Sequence, residues 1–385
     1  MGFTLRPVSG TQFVGRDKQV LELVATLKNP SSQKGFAIIG SKNLGKTSLV
    51  KQAIHKLTPE KEIVKIYFSL DCLTDNSQHN FIRKLSKTIL ESYKQILGLT
   101  INIDELYQAP LGILDTLLRG MNLDGELLDS VKLLLTFERE KEVDMNSLFK
   151  SLFDLPDQLA KETDTSCLLF FDEFGDILKL KNGFDSEDIL KILKESHAGY
   201  ENTLLNITLS NLVIAQKLII DDSSLFSDVF FVMSVKPFDL ETGQKLVEKN
   251  LGMKLSDEVY QKIHLVTQGV PFYLQFLGRK LNCVGDLNLD KFNLVFDEFL
   301  EEECTIIFRE KLNRLSNKER MILVCMVKHD LNTPSAISKE LNYSQTNVRR
   351  FLSILEEKEI IVNEERGKFE IEDNIFKQWL KQQVQ

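Results

Sequence analysis

Across its 385 residues the chain has no apolar run approaching the ~20 that cross a membrane, so no membrane contact is expected. Its start, Met1-Gly2-Phe3-Thr4-Leu5-Arg6, lacks an apolar h-region, which argues against a secretory signal. The five cysteines are scattered and form no C-x-x-C pair; the five histidines are isolated, without ligand spacing. Those patterns exclude a zinc module and a disulfide frame. Cys167 and Cys325, inside apolar runs, read as reduced core residues of a cytoplasmic protein. Basic charge is not in surplus either. There are 48 Lys plus Arg against 56 Asp plus Glu, a formal charge of −8, so the chain as a whole is no general nucleic-acid binder. Arg is scarce beside Lys, which fits an AT-rich or thermophilic source. Apolar and charged fractions of 43% and 27% are those of an ordinary globular chain, and the length suggests two to three domains.

The most informative stretch is Phe36-Ala37-Ile38-Ile39-Gly40-Ser41-Lys42-Asn43-Leu44-Gly45-Lys46-Thr47-Ser48. It is a complete G-x-x-x-x-G-K-[ST] loop between an apolar strand pattern and a helical one. Glycines at both ends let the loop curl so that backbone N–H groups point inward at phosphate oxygens. The following helix adds the partial positive charge of its N-terminus. Residues Gly40 to Ser48 are therefore candidate nucleotide contacts, with Lys46 reaching the β- and γ-phosphates and the Thr47 hydroxyl on Mg²⁺.

A second apolar run, Cys167-Leu168-Leu169-Phe170-Phe171, ends in Asp172-Glu173. Five apolar residues in a row suit a central parallel strand covered on both faces. Asp172 would sit beside the Thr47-bound metal, and Glu173 would polarise the attacking water. With the phosphate loop upstream, this pair matches the Walker B pattern of P-loop ATPases. No N-K-x-D guanine-reading motif is present, so ATP/ADP is preferred to GTP.

Gln12-Phe13-Val14-Gly15-Arg16-Asp17, shortly before the phosphate loop, makes the resemblance more specific. A Phe-Val-Gly-Arg box there resembles the STAND and archaeal-type ATPases, relatives of AAA+ proteins. By that resemblance Val14, Gly15 and Arg16 lie near the base or phosphates; the alternative is a capped surface helix. Ser210-Asn211 stands where the family has a sensor strand, whose polar residue contacts the γ-phosphate or water. Relatives usually show Gly-Ser at this place, which leaves either residue open; Asn211 is the catalytic candidate and Ser210 the alternative. Gly269-Val270-Pro271 resembles the lid turn of the family, which approaches the nucleotide at the proline. Arg279, two helical turns on, reads as a surface charge or a sensor arginine.

Strand patterns at Phe36–Gly40, Ile63–Leu70, Cys167–Asp172, Asn206–Ser210 and Val229–Val235 alternate with helices, which predicts a parallel sheet. The resemblance puts the loop strand at its centre, next to the fourth strand. Residues 100–160 carry leucines at helical spacing and read as an all-helical insertion. The predicted class is thus an α/β P-loop NTPase with a five-stranded parallel core sheet (1–235), a small helical lid domain (236–312) and a winged helix-turn-helix domain (313–385).

In the last part, Ser316 and Glu319 have capping-box spacing, Thr333-Pro334 starts a second helix and Ser344 a third. Ile360–Asn363 and Lys368–Ile371 read as a wing around Glu365-Arg366-Gly367. If the third helix enters a DNA major groove, Gln345, Thr346, Asn347, Arg349 and Arg350 meet bases or phosphates of double-stranded DNA. Charge tempers that reading. Residues 314–385 hold twelve Lys plus Arg and eleven Asp plus Glu, a net of +1, and the wing is acidic. A protein partner or self-association is the alternative. The expectation is an MgATP-hydrolysing conformational switch. Its rivals are a replication-initiator-like DNA-binding ATPase and a scaffold that holds nucleotide without turnover. Arg119, Arg139 and Arg279 are arginine-finger candidates that nothing in the sequence ranks.

Overall fold

The computed structural model describes residues 2–28, 34–58, 62–120, 123–140, 142–285, 287–365 and 367–384. It divides into two compact units. One comprises Arg16–Lys42 and Lys46–Val235; the other comprises Met1–Gly15, Asn43–Gly45 and Lys236–Gln385.

The first unit begins with helix α1 (Asp17–Leu27), strand β1 (Gly35–Ile39), helix α2 (Lys46–Lys56) and strand β2 (Ile63–Ser69). Five helices follow: α3 (Gln78–Tyr93), α4 (Ile103–Gln108), α5 (Leu111–Arg119), α6 (Gly125–Thr136) and α7 (Met145–Glu162). Then come β3 (Ser166–Asp172), α8 (Ser186–Ala198), β4 (Thr203–Leu209), α9 (Leu212–Ala215) and β5 (Phe230–Ser234). All five strands are parallel, in the order β2-β3-β4-β1-β5. Every residue of β1, β3 and β4 is buried, as apolar runs covered on both faces require. The β2 run Ile63-Val64-Lys65-Ile66-Tyr67-Phe68 alternates, with Val64, Ile66 and Phe68 buried and Lys65 exposed, because β2 is an edge.

The loop strand does adjoin β4, but the middle position belongs to β4; β1 lies between β4 and the edge strand β5. Strand β4 begins at Thr203 rather than Asn206. Asn206 is no strand start but a buried ladder member. Its Oδ1 accepts from Phe36 N–H at 2.9 Å and its Nδ2 donates to the Leu204 carbonyl at 3.2 Å. Gly35 lets that contact form, since a Cβ there would lie 1.9 Å from the Leu205 carbonyl oxygen.

Among its described residues, the regular elements of the segment between β2 and β3 are helices, apart from an isolated bridge of Ser77 to Lys181. Its helices share one core with the sheet: Ile103, Leu106, Leu114, Val131 and Leu134 belong to the same cluster as Ile66 and Phe171. Helix α7 runs past the expected insertion to Glu162 and packs on β3 and α8, so it is a sheet-covering crossover helix.

The second unit contains α10 (Leu240–Leu251), α11 (Asp257–Thr267), α12 (Pro271–Leu281), α13 (Leu289–Glu298) and α14 (Thr305–Asn313). It continues with α15 (Asn317–His329), α16 (Pro334–Leu341), α17 (Gln345–Glu357), an antiparallel hairpin of β6 (Ile361–Glu365) and β7 (Lys368–Ile371), and α18 (Asn374–Gln383). Caps stand where the sequence reading puts them. Ser316 and Glu319 form a reciprocal capping box, Thr333 caps α16 with Pro334 at its first position, and Ser344 caps α17. Strand β6 extends to Glu365; Arg366, expected in the wing turn, lies outside the described residues.

One core runs through this unit from Leu246 to Leu380. Phe308, Phe376 and Trp379 cluster at centroid distances of 5.0–6.1 Å, with Phe376 and Trp379 stacked and Phe308 tilted against both. Trp379 Nε1 donates to Thr305 Oγ1 at 2.8 Å, and Tyr273 Oη donates to Asp373. Packing is therefore continuous across residues 312 and 313.

Candidate functional site

The carboxyl ends of β1, β2, β3 and β4 bring one constellation together within the first unit. Gly40 N–H donates to the Leu209 carbonyl at 3.1 Å, which fixes the exit of β1 against the end of β4. The chain then curls through Asn43 at φ 68° and Gly45 at φ 83°. The second is a left-handed position that glycine takes without a Cβ penalty. Lys46, the first residue of α2, is only 4% exposed, and its ammonium folds back on the loop. Nζ donates to the Gly40 carbonyl at 2.8 Å and the Ser41 carbonyl at 3.2 Å, and lies 3.7 Å from Glu173 Oε1.

Thr47 Oγ1 donates to Asp172 Oδ2 at 2.8 Å, so the two expected metal-side oxygens face each other. Asp172 is buried at 5% exposure and receives two further hydroxyls. Thr208 Oγ1 donates to Oδ1 at 2.5 Å, and Tyr67 Oη donates to Oδ2. Burial and the neighbouring Asp172 carboxylate push the Tyr67 phenol far above its ordinary range.

Glu173 sits just past the strand at φ 54°, ψ 46°, an uncommon conformation for a residue with a side chain. Its N–H donates to Thr208 Oγ1 at 3.0 Å, and its Oε2 accepts from Ser210 Oγ. Burial raises the Glu173 carboxyl above the usual Glu range; Lys46 and the Ser210 hydroxyl pull it down, and Asp172 and Asp71 add to the rise. Asp71 is raised too, first by burial and then by Asp176.

Of the two sensor candidates, Ser210 touches Glu173, whereas Asn211 Oδ1 accepts from Ile214 N–H at 3.0 Å and caps α9. The Phe-Val-Gly-Arg box divides between the units. Val14 packs on the core of the second unit, and there a Cβ at Gly15 would meet Thr242 at 2.5 Å. Arg16, in the first unit, takes a left-handed φ of 60° at the start of α1, and burial lowers its guanidinium to about 10. Leu44 is buried; Lys42 acts electrostatically on Asp71; Ser48 is half-buried on α2. Pro271 is the first residue of α12.

Among the arginine candidates, Arg139 is tied into the helical segment. Its Nη1 donates to the Ala109 carbonyl at 2.7 Å and its Nη2 to the Tyr107 carbonyl. Arg119 and Arg279 are exposed. On α17, Gln345, Thr346, Asn347, Arg349 and Arg350 are all exposed, while Val348 between them is buried.

Tyr67 and Thr208 were not legible as site residues. Each is a polar residue near the end of a strand flanking β3, and only the strand register brings it to Asp172. All five cysteines are free, three of them buried. No described helix is long and apolar enough to cross a membrane. No group of three or more His, Cys, Asp or Glu able to hold a metal occurs among the described residues.

No family model matches the chain, and no curated protein does. Among solved structures it is similar to a Walker-type ATPase of Pyrococcus abyssi: 18% identity, TM-score 0.69, covering 99% of this chain and 100% of that one. It is also similar to the ORC2 protein of Aeropyrum pernix in ADPNP–ADP complexes: 14% identity, TM-score 0.56, covering 100% of this chain and 98% of that one. At these identities the likeness is one of fold. The parallel five-stranded core with its helical C-terminal part is an α/β P-loop NTPase fold.

Proposed function

We propose that the chain binds MgATP and hydrolyses it to ADP and phosphate, acting as a nucleotide-driven switch. The observation that carries the reading is the convergence of Lys46, Thr47, Asp172 and Glu173 at one sheet edge, with Thr47 Oγ1 2.8 Å from Asp172 Oδ2. A hydroxyl and a carboxylate are hard oxygen donors that suit Mg²⁺; phosphate oxygens and water would complete its shell, as Mg²⁺ prefers. The ion would neutralise charge on the phosphates. The chain's own residues do the rest. Backbone N–H groups of Gly40–Thr47 hold the phosphates, and Lys46 exchanges its loop carbonyls for phosphate oxygens. Glu173, steadied by Ser210, orients water for in-line attack. Burial raises the Glu173 carboxyl above the usual Glu range, the direction that strengthens a general base.

The resemblance to STAND and archaeal-type AAA+ ATPases supports ATP over GTP. It also supports Val14, Gly15, Arg16 and Pro271 as nucleotide neighbours, and residues 313–385 as a winged helix. The similar structures add weight: one is named an ATPase, the other is an ORC2 protein holding ADPNP and ADP. A DNA-associated role is the second reading, favoured by the exposed Arg349 and Arg350 on α17.

The test is ATP turnover by purified protein with and without duplex DNA, beside Lys46→Ala and Glu173→Gln. Turnover lost in both variants supports the reading. Stimulation by DNA selects the DNA-associated form, and turnover indifferent to DNA selects a protein-directed switch. Nucleotide binding by wild type without turnover would leave the scaffold.

A further inference from the structure

We propose that Tyr67 is a positioning residue for the metal side of the site: its hydroxyl helps hold the Asp172 carboxylate so that one acceptor direction remains for the Mg²⁺ shell. The inference rests on the nucleotide reading above. An ionised carboxylate offers about four lone-pair directions. Tyr67 and Thr47 donate to Oδ2 and Thr208 donates to Oδ1, so three are taken by protein hydroxyls. The remaining direction is then fixed by the structure rather than left to rotation about the carboxylate.

The donors are neutral, and that matters for a buried anion. Burying a carboxylate without partners is costly. A lysine or arginine would relieve the cost by cancelling the charge and would then compete with the incoming cation. Three hydroxyls stabilise the anion and leave its negative charge for the metal. Lys46 lies on Glu173, not on Asp172, which keeps the two carboxylates in separate roles.

The clamp is braced from three elements. Tyr67 sits on β2 in register with Phe170 of β3, and the Lys51 ammonium of α2 lies 5.6 Å from its ring centroid. Thr208 on β4 accepts from Glu173 N–H, which turns its proton toward Asp172. The same hydroxyl therefore couples the metal-side carboxylate to the backbone of the proposed base.

The test is the affinity for ADP by calorimetry, with Mg²⁺ and with EDTA, in wild type and Tyr67→Phe. The gain on adding Mg²⁺ is expected to be about tenfold smaller in Tyr67→Phe, the weight of a hydrogen bond to a charged group. Metal-free affinity should stay close to wild type, while the unfolding midpoint should fall modestly because the buried carboxylate keeps two of its three hydroxyl donors. Thr208→Val should shift the Mg²⁺ gain in the same direction. An equal Mg²⁺ gain in wild type and Tyr67→Phe would overturn the role of Tyr67 and leave the metal site standing. No Mg²⁺ gain in wild type would overturn both. Loss of metal-free affinity together with a lowered midpoint would make Tyr67 a packing residue and overturn the proposal.

Discussion

The C-terminal edge of the sheet and the outer face of α17 carry the two sets of candidate functional residues, and they are built in opposite ways. At the sheet edge, Lys46 and Asp172 are almost fully buried, and the hydroxyls of Thr47, Tyr67, Thr208 and Ser210 are directed onto carboxylates. On α17 the five residues are exposed, around a single buried Val348. The first arrangement limits its groups to few geometries before any ligand arrives, as preorganised chemistry requires. The second suits a surface that meets a partner through long, adaptable side chains. Substitutions should therefore act on nucleotide binding and turnover at the sheet edge and on partner association at α17.

The largest expected effect is at Glu173. Glu173→Gln should lower turnover about 1,000-fold while ATP affinity stays near wild type, read by steady-state hydrolysis and equilibrium binding. Lys46→Ala should instead lose binding, by about 2–3 kcal/mol, because the phosphates lose a charged donor. The pH dependence has a definite sign. Glu173 must be ionised to act, so turnover should fall as pH drops through a value above the ordinary Glu range. Because its folded pKa is raised, the stability it contributes is present at low pH and is lost as pH rises through that value. Glu173→Gln should therefore be at least as stable as wild type at neutral pH, measured by thermal unfolding.

Comparable in size is Trp379→Ala, which removes the ring packed against Phe308 and Phe376 and its hydrogen bond to Thr305 Oγ1. A loss of about 3–5 kcal/mol is expected. Because one core joins residues 246–380, hydrogen exchange should rise in α11 and α12 as well as in α15 to α18. A rise confined to the C-terminal helices would divide that unit in two.

At α17, Arg349→Ala with Arg350→Ala should reduce the salt slope of duplex binding by about 2 if both meet phosphates, with the sheet-edge turnover unchanged. A slope equal to wild type would leave α17 to a protein partner. The smallest effect is at Glu319, whose carboxylate closes the capping box and meets Lys358 at 2.8 Å. Burial works against its charge, but the Lys358 and Ser316 hydrogen bonds win and hold its pKa below the usual value. Glu319→Gln should cost about 1 kcal/mol at neutral pH. The difference should vanish as pH falls through the depressed folded value, since the contribution exists above the unfolded pKa and is lost below the folded one.

What the sequence made legible follows from how local each feature is. The phosphate loop, the Asp172-Glu173 strand end and the caps at Ser316, Thr333 and Ser344 each lie within a few residues, so spacing alone carries them. Tyr67 and Thr208 reach Asp172 from strands about 105 and 36 residues away, and that meeting depends on a register no local pattern encodes. Asn211 and Ser210 show the same limit at closer range. Both are polar at a strand end, but only the backbone turn at α9 sends one side chain to Ile214 N–H and the other to Glu173. The continuous core of residues 246–380 was hidden for a related reason: α18, last in the chain, packs back on α11 and on residues 299–304.

The most direct measurement is single-turnover hydrolysis of bound ATP by wild type and Glu173→Gln in Mg²⁺. A water oriented by Glu173 predicts that wild type converts its ATP to ADP while the variant holds ATP uncut over the same time. Equal conversion in the variant would contradict that role and remove Glu173 from the chemistry.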